Sequence, residues 1–93
     1  MRNQYMFERD EKKNKLLQQT RNISFGQIVK AIEIGGLVAI IPHYNTEKYA
    51  HQKIFGVLIN GYMYAVPYVQ KGKTCFLKTI YKDRNLTSFY LLS

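Results

Sequence analysis

The chain has 93 residues and a mass of 10.9 kDa, which predicts one compact domain over residues 1–93, without a separate substrate domain or lid. Apolar residues make up 46% of the sequence and charged residues 22%, a composition typical of globular proteins that excludes a disordered or collagen-like chain. Fourteen Lys and Arg against six Asp and Glu give a net charge of +8, which favours nucleic acids or acidic proteins as partners.

The excess of positive charge is concentrated in the C-terminal part. Residues 1–35 carry seven basic and four acidic side chains, whereas residues 36–93 carry seven basic and only two acidic ones. Since the C-terminal part has the pattern of a folded sheet, this imbalance predicts a basic surface on a scaffold rather than a disordered basic arm.

The sequence also bears on location and cofactors. The single cysteine, Cys75, cannot form an internal disulfide, and no clustered Cys and His spacing supports a structural zinc site. Residues 1–15 are polar, and the longest apolar run, residues 35–42, is much shorter than the ~18 residues of a membrane-spanning helix. We therefore expect a cytoplasmic protein with no metal, no cofactor and no membrane partner.

The first predicted helix covers residues 10–21. This segment lacks Gly and Pro, begins with Asp10 and Glu11 and ends with Arg21, so its charges suit the helix dipole at both ends. Its apolar face is thin and consists of Leu16 and Leu17. We therefore expect an outer helix with solvated lysines.

The second predicted helix begins at a capping box formed by Ser24 and Gln27. The Gly35-Gly36 pair supplies its terminator. Between them, apolar residues recur at helical spacing and define a stripe that we assign to the core. The stripe consists of Phe25, Ile28, Val29 and Ile32.

From residue 37 onward the pattern changes to strands. Residues 37–41, LVAII, form a continuous apolar run stopped by Pro42, which predicts a buried strand. Residues 43–52 are polar and predict a mobile loop.

Two hairpins are predicted next. Asn60-Gly61 is a strong type I′ turn signal between strands over residues 53–59 and 62–69. A second turn at Lys71-Gly72 leads into a strand over residues 73–81.

A short final helix is predicted after a cap at Asp83 or Asn85. Pro67 interrupts a strand pattern and predicts a bulge or a local edge, because proline lacks a ladder donor.

The elements together predict an α+β fold. Two N-terminal helices pack on a twisted, mostly antiparallel four-stranded sheet, and a short C-terminal helix follows. A further strand before the first helix is an option.

The Asn60-Gly61 turn also predicts which side chains share a face of the sheet. One face is bulky and includes Phe55, Val57 and Tyr64, to which Leu77, Thr79 and Tyr81 would be added, so it is assigned to the core. The opposite face combines small residues with lysines, which predicts a shallow basic depression. Its members are Gly56, Met63, Ala65, Lys78 and Lys82.

The motifs of several enzyme classes are missing. The sequence has no nucleotide-binding loop, nucleophile elbow, metalloprotease helix or paired carboxylates. The chemistry that remains uses Lys, Arg, Tyr and His. Metal-independent RNA cleavage needs such groups, because a base takes the 2′-OH proton, a cation stabilises the phosphate and an acid protonates the leaving oxygen. The same groups also bind phosphate without cleaving it.

Four segments in order resemble the toxin subunits of the BrnT-like family, within the RelE-fold type II toxins. They are FERDEKKNK from Phe7, NISFGQIVKAIE from Asn22, QKIFGVLINGYMYAVPYV from Gln52 and FLKTIYKDRNLT from Phe76. The resemblance extends to about Tyr90. It implies a single toxin-like domain that cleaves RNA and inhibits translation. It also implies a cognate, DNA-binding antitoxin that neutralises the protein and through which alone it forms oligomers.

The resemblance carries over to individual positions. Those that match the family's motifs are Glu8, Asp10, Lys13, Asn14, Lys53, Arg84 and Thr87. Those that depart from its pattern are Arg9 in place of Trp, Asn22 where Gly is common, and Leu86 in place of a small residue.

Eight residues are therefore candidates for the site. The candidate catalytic residues are Lys53, Arg84, Lys78 and His51, and the candidate RNA-binding residues are Lys48, Lys73, Lys82 and Thr87. Several have structural alternatives: Lys53 as an edge-strand gatekeeper, Lys78 as a surface lysine, and Arg84 as a cap or a partner of Asp83. The alternative function is a non-catalytic basic module that binds nucleic acid or an acidic protein.

Overall fold

A computed structural model of the chain describes residues 5–92, and within them the fold is α+β, as predicted, with three α-helices and six strands. The elements are β1 (Met6–Arg9), α1 (Glu11–Arg21), α2 (Phe25–Glu33), β2 (Leu37–Pro42), β3 (Gln52–Ile59), β4 (Tyr62–Lys71), β5 (Thr74–Leu77), β6 (Tyr81–Lys82) and α3 (Arg84–Thr87), followed by a π-helical turn over Ser88–Leu92.

Both N-terminal helices begin at a side-chain cap: the capping box at Ser24 is confirmed, and Asp10, predicted as the first residue of the first helix, is its N-cap. The Asp10 carboxylate accepts a hydrogen bond from the Lys12 backbone N–H at 2.8 Å, and the Ser24 hydroxyl accepts one from the Gln27 backbone N–H at 3.2 Å. The Gln27 side chain completes the capping box by accepting from the Ser24 backbone N–H at 2.9 Å. After α2, Gly35 adopts a φ of 98° and reverses the chain.

The sheet has the strand order β1-β5-β4-β3-β2. It is larger than the predicted four strands, because β1 adds to β5 as a parallel strand and β6 pairs with β4. The hairpin at Asn60-Gly61 is confirmed: both residues have positive φ, 52° and 77°, and Ile59 lies opposite Tyr62.

The strand β2 differs from its prediction as a buried strand. It lies at the edge of the sheet, and its burial alternates along the chain, so Val38 is 41% and Ile40 is 46% exposed. The apolar run fits an extended strand. Ile40 pairs with the core residue Phe55 and therefore lies on the helix side of the sheet, but among the described residues the helices leave it exposed.

The bulky face of the sheet is the main core, as predicted. The stripe of α2 and Leu17 of α1 pack there on Phe55, Val57 and Val66. The stripe is buried apart from Val29, which is partly exposed.

The opposite face does not form the predicted depression over its whole area. At the hairpin end, α3 covers it, and Leu86 packs with Ile54, Met63 and Ala65 in a second apolar cluster. A Cβ added at Gly56 would lie 3.1 Å from the Met63 side chain, so this part of the face is filled.

The predicted strand over residues 73–81 is wrong in its second half. It ends at Leu77, and residues 78–80 are irregular before β6 begins. Because Leu77 and Ile80, three residues apart, both enter the main core, the alternation of faces is inverted beyond this break. Tyr81 therefore packs with the second cluster, while Lys82 lies opposite Tyr64.

Pro67 lies where β4 is unpaired between β5 and β6. Its pairing with Ile54 of β3 is regular, so there is a local edge and no bulge. The Pro67 carbonyl accepts a hydrogen bond from the Lys78 backbone N–H at 2.8 Å.

Candidate nucleic-acid interface

The half of the sheet that α3 leaves uncovered contains an open depression of about 380 Å³. Its side chains come from β1, β4, β5 and the residue that follows β5, and they point away from α1 and α2 because neighbouring strand residues alternate between faces. Val69 and Phe76 supply apolar surface, whereas Glu8, Lys71 and Lys78 supply charge. Thr74 completes the lining.

A second depression, of about 410 Å³, shares Lys78 with the first. It brings together groups from α1, the loop between β2 and β3, and the break after β5. Its lining consists of Lys13, His43, Tyr49, Gln52, Pro67, Lys78, Thr79 and Tyr81. We call the two depressions together the Lys78 groove. Three lysines against one glutamate make this groove basic.

Lys78 is held in place at the junction of the two depressions. Its backbone is tied to Pro67, and its Nζ lies 5.1 Å from the centroid of the Phe76 ring, within the range of a cation–π interaction. The side chain remains exposed. It is therefore positioned on the groove and accessible to a ligand.

The loop over residues 43–51, predicted to be mobile, is held by a network of hydrogen bonds. The Tyr44 hydroxyl donates to the Asp83 carboxylate at 2.6 Å, and the Tyr49 backbone N–H donates to the Asn45 carbonyl at 2.9 Å. The Asp83 carboxylate also caps α3 by accepting from the Leu86 backbone N–H at 2.9 Å. Through this contact, α3 fixes the loop that forms one wall of the groove.

His43 belongs to this wall, although sequence reasoning favoured His51. Its ring centroid lies 4.4 Å from that of Tyr49. Its Nδ1 accepts a hydrogen bond from the Asn45 backbone N–H at 3.0 Å, so the neutral imidazole carries its proton on Nε2 and can donate from there. The sequence favoured His51 because it lies two residues from Lys53, and only the fold of the loop places His43 in the groove.

Two tyrosines around Asp83 remain protonated well above neutral pH. Partial burial, the hydrogen bond to Asp83 and the charge of that carboxylate raise the pKa of Tyr44 well above its ordinary value. Burial and the Asp83 charge likewise raise the pKa of Tyr81. Both hydroxyls are therefore hydrogen-bond donors at neutral pH.

The predicted catalytic residues are divided between the two faces of the sheet. Lys53 and His51 line a separate depression of about 320 Å³, together with Tyr68, Gln70 and Gly72. Lys53 lies opposite Tyr68, which is buried in the main core, so this depression opens on the helix side, away from Lys78. We call it the Lys53 pocket.

Arg84 lies apart from both sites. It is exposed at the first position of α3 and lines neither the Lys78 groove nor the Lys53 pocket. It does not pair with Asp83: within residues 5–92, the ion pair that forms is Arg9–Glu11 at 3.0 Å.

Thr87, a candidate RNA-binding residue, has a structural role in the fold. It is buried, and its hydroxyl accepts a hydrogen bond from the Met63 backbone N–H at 3.0 Å and donates one to the Asp83 carbonyl at 2.8 Å. The first bond joins α3 to the sheet, and the second lies within α3 and its cap. A phosphate would reach this hydroxyl only by displacing them.

The three candidate RNA-binding lysines lie at different places. Lys48 Nζ is 5.3 Å from the Tyr49 ring centroid, beside the Lys78 groove. Lys82 Nζ is 5.4 Å from the Tyr62 ring centroid, on the helix side of the sheet. Lys73 is exposed in the turn before β5.

No family model, curated protein or solved structure matches this chain. Across residues 5–92, no group of three or more His, Cys, Asp or Glu side chains lies together in a way that could hold a metal ion. In the same range, no helix is both long enough and apolar enough to cross a membrane.

Proposed function

We propose that the protein is an endoribonuclease that cleaves RNA in the Lys78 groove and acts as the toxin of a type II toxin–antitoxin system. The observation that carries the proposal is that Lys13, His43, Tyr49 and Lys78, from separate parts of the sequence, line one open depression. Cationic and aromatic groups in one groove suit a single RNA strand, because the cations meet phosphates and the rings stack on bases.

The proposed reaction is the attack of a ribose 2′-oxygen on the adjacent phosphorus. It breaks the bond to the 5′-oxygen and leaves a 2′,3′-cyclic phosphate and a free 5′-hydroxyl. Lys78 lies where the two depressions meet, so its ammonium group is assigned to the negative charge that develops on the phosphate. The Nε2–H of His43 supports it as a second donor.

The proton transfers are assigned to groups that line the two depressions on either side of Lys78. Glu8, the one carboxylate among the residues that line the groove, accepts the proton of the 2′-hydroxyl. Tyr49 donates its phenolic proton to the leaving 5′-oxygen. The proton count balances, because one proton is taken up by Glu8 and one is released by Tyr49, with solvent restoring both groups.

The direct test is cleavage of single-stranded RNA by the purified protein in the presence of a metal chelator. We expect products with 2′,3′-cyclic phosphate ends, and no cleavage of the same sequence carrying 2′-O-methyl groups, which block the attacking oxygen. Folded protein that binds the RNA without cutting it would contradict the enzymatic proposal and favour a non-catalytic basic module.

The toxin role has its own test. Expression of the chain in the cytoplasm of a bacterium should arrest growth, and co-expression of the neighbouring antitoxin gene should restore it. Normal growth at a high level of soluble, folded protein would contradict this role. We further propose that the arrangement of helices and sheet is RelE/BrnT-like, on the strength of the four segments that resemble that family.

A further inference from the structure

A further depression, of about 360 Å³, lies on the helix side of the sheet beside the break between β5 and β6. Its lining consists of Arg21, Ile23, Tyr64, Tyr81 and Lys82. Its volume lies in the range of small-ligand sites. It is distinct from the Lys53 pocket, with which it shares no lining residue, but it shares Tyr81 with the Lys78 groove.

Two cations are anchored at this depression. Arg21 Nη1 donates a hydrogen bond to the Ile80 carbonyl, and among residues 5–92 the guanidinium makes no second hydrogen bond, so its other N–H groups are available to a ligand. Lys82 Nζ is placed over the Tyr62 ring. Because the two cations have no acidic neighbour in the lining, the site attracts an anion.

Aromatic rings line the same depression as the two cations. Tyr64 pairs with Lys82 across β4 and β6, so the two side chains lie on the same side of the sheet. The ring of Tyr62 approaches Tyr64 edge-on, with centroids 6.4 Å apart. A flat base can stack on such rings while the cations hold its phosphate.

We propose that this depression binds one nucleotide of the RNA strand, next to the position cleaved in the Lys78 groove. Tyr81 lines both sites, so a strand that follows the break between β5 and β6 passes from one to the other around this residue. We call it the flanking-nucleotide site. Its assignment to RNA, as opposed to a free nucleotide, rests on the proposed function.

The test is a titration of the ¹⁵N-labelled protein with adenosine 5′-monophosphate, followed by NMR, with inorganic phosphate as the parallel probe. We expect the amide signals of residues 21–23, 62–64 and 81–82 to shift with the nucleotide. Lys82→Gln should weaken binding about tenfold, the loss of one charged contact, and Arg21→Gln should do the same. Lys12→Gln, which removes an exposed lysine of α1, is the matched control and should bind as the wild type does.

Two other results of the titration overturn the proposal. Shifts elsewhere, or none, would remove the site, and equal binding of inorganic phosphate would show that no base is recognised. The proposed function is tested separately by RNA cleavage: if the wild type cleaves RNA and Lys82→Gln leaves KM unchanged, the flanking-nucleotide site fails while the ribonuclease stands. If the wild type cleaves nothing but binds the nucleotide here, the ribonuclease fails and the site remains as a nucleotide site.

Discussion

The Lys78 groove and the Lys53 pocket lie on opposite faces of the same sheet and differ in how they are built. The pocket takes its side chains from β3, β4 and the adjoining loop and turn. The groove combines groups from β1, α1, the loop over residues 43–51 and the break after β5. Both are basic, but the groove collects a wider set of chemical groups. The pocket is formed by two neighbouring strands and their connections, whereas the groove brings together elements that are distant from one another in the sequence.

The largest effect is expected from Glu8→Gln, which removes the carboxylate assigned as the base of the groove. Loss of a general base should reduce the rate of RNA cleavage about 100-fold or more. Single-turnover kinetics on a single-stranded RNA measures this rate. Glu47→Gln, an exposed acid of the loop that lines neither site, is the control and should cleave normally; an unchanged rate in Glu8→Gln would remove the assignment.

The local features were predictable because they depend on neighbours in the chain. The capping box at Ser24 and the turn at Asn60-Gly61 each need only a few consecutive residues, and each occurs as predicted.

The site was not predictable in the same way. The inverted alternation after Leu77 depends on how Ile80 enters the main core, which no local pattern encodes. Lys82 was predicted to share a face of the sheet with Met63. Because the alternation is inverted, Lys82 lies on the other face, opposite Tyr64. His43 enters the groove because Tyr44 binds Asp83, 39 residues away in the sequence. Such long-range contacts decide which basic residues meet.

Asp83→Ala should weaken the connection between α3 and the wall of the groove. The variant loses the cap of α3 and leaves the Tyr44 hydroxyl without its acceptor, so the free energy of unfolding should fall by about 2–3 kcal/mol. Urea denaturation measures the change. Asp10→Ala, which removes an exposed cap from α1, should cost only about 1 kcal/mol; equal losses would show that the Tyr44 contact contributes nothing.

Thr87→Val separates the structural role of this residue from its predicted contact with RNA. The substitution keeps the shape and leaves the buried Met63 backbone N–H without an acceptor, so the free energy of unfolding should fall by about 1–3 kcal/mol. Affinity for a 2′-O-methyl RNA should stay the same. Thr20→Val, at an exposed position of α1, is the control and should change stability by less than about 0.5 kcal/mol. Lost affinity with full stability would restore the RNA contact.

The smallest effect concerns pH. Because the pKa of Tyr44 is raised in the folded protein above its ordinary value of 10.0, its contribution to stability is complete below about pH 10 and is lost as the pH rises beyond it. The wild type should therefore lose more stability between pH 8 and pH 11 than Tyr44→Phe, which has no hydroxyl to ionise. Urea denaturation at the two pH values compares them, and an equal loss in both proteins would contradict the prediction.

The most direct test of the central claim compares Lys78→Met with Lys53→Met in cleavage of the same RNA. The two substitutions remove the same charge from exposed lysines on opposite faces of the sheet. We expect Lys78→Met to lower the single-turnover rate about 100-fold or more, with the fold intact, because it removes the cation assigned to the transition state. Lys53→Met should remain within about threefold of the wild type, a difference of less than 1 kcal/mol. A lost rate in Lys53→Met together with a normal rate in Lys78→Met would contradict the account and move the active site to the Lys53 pocket.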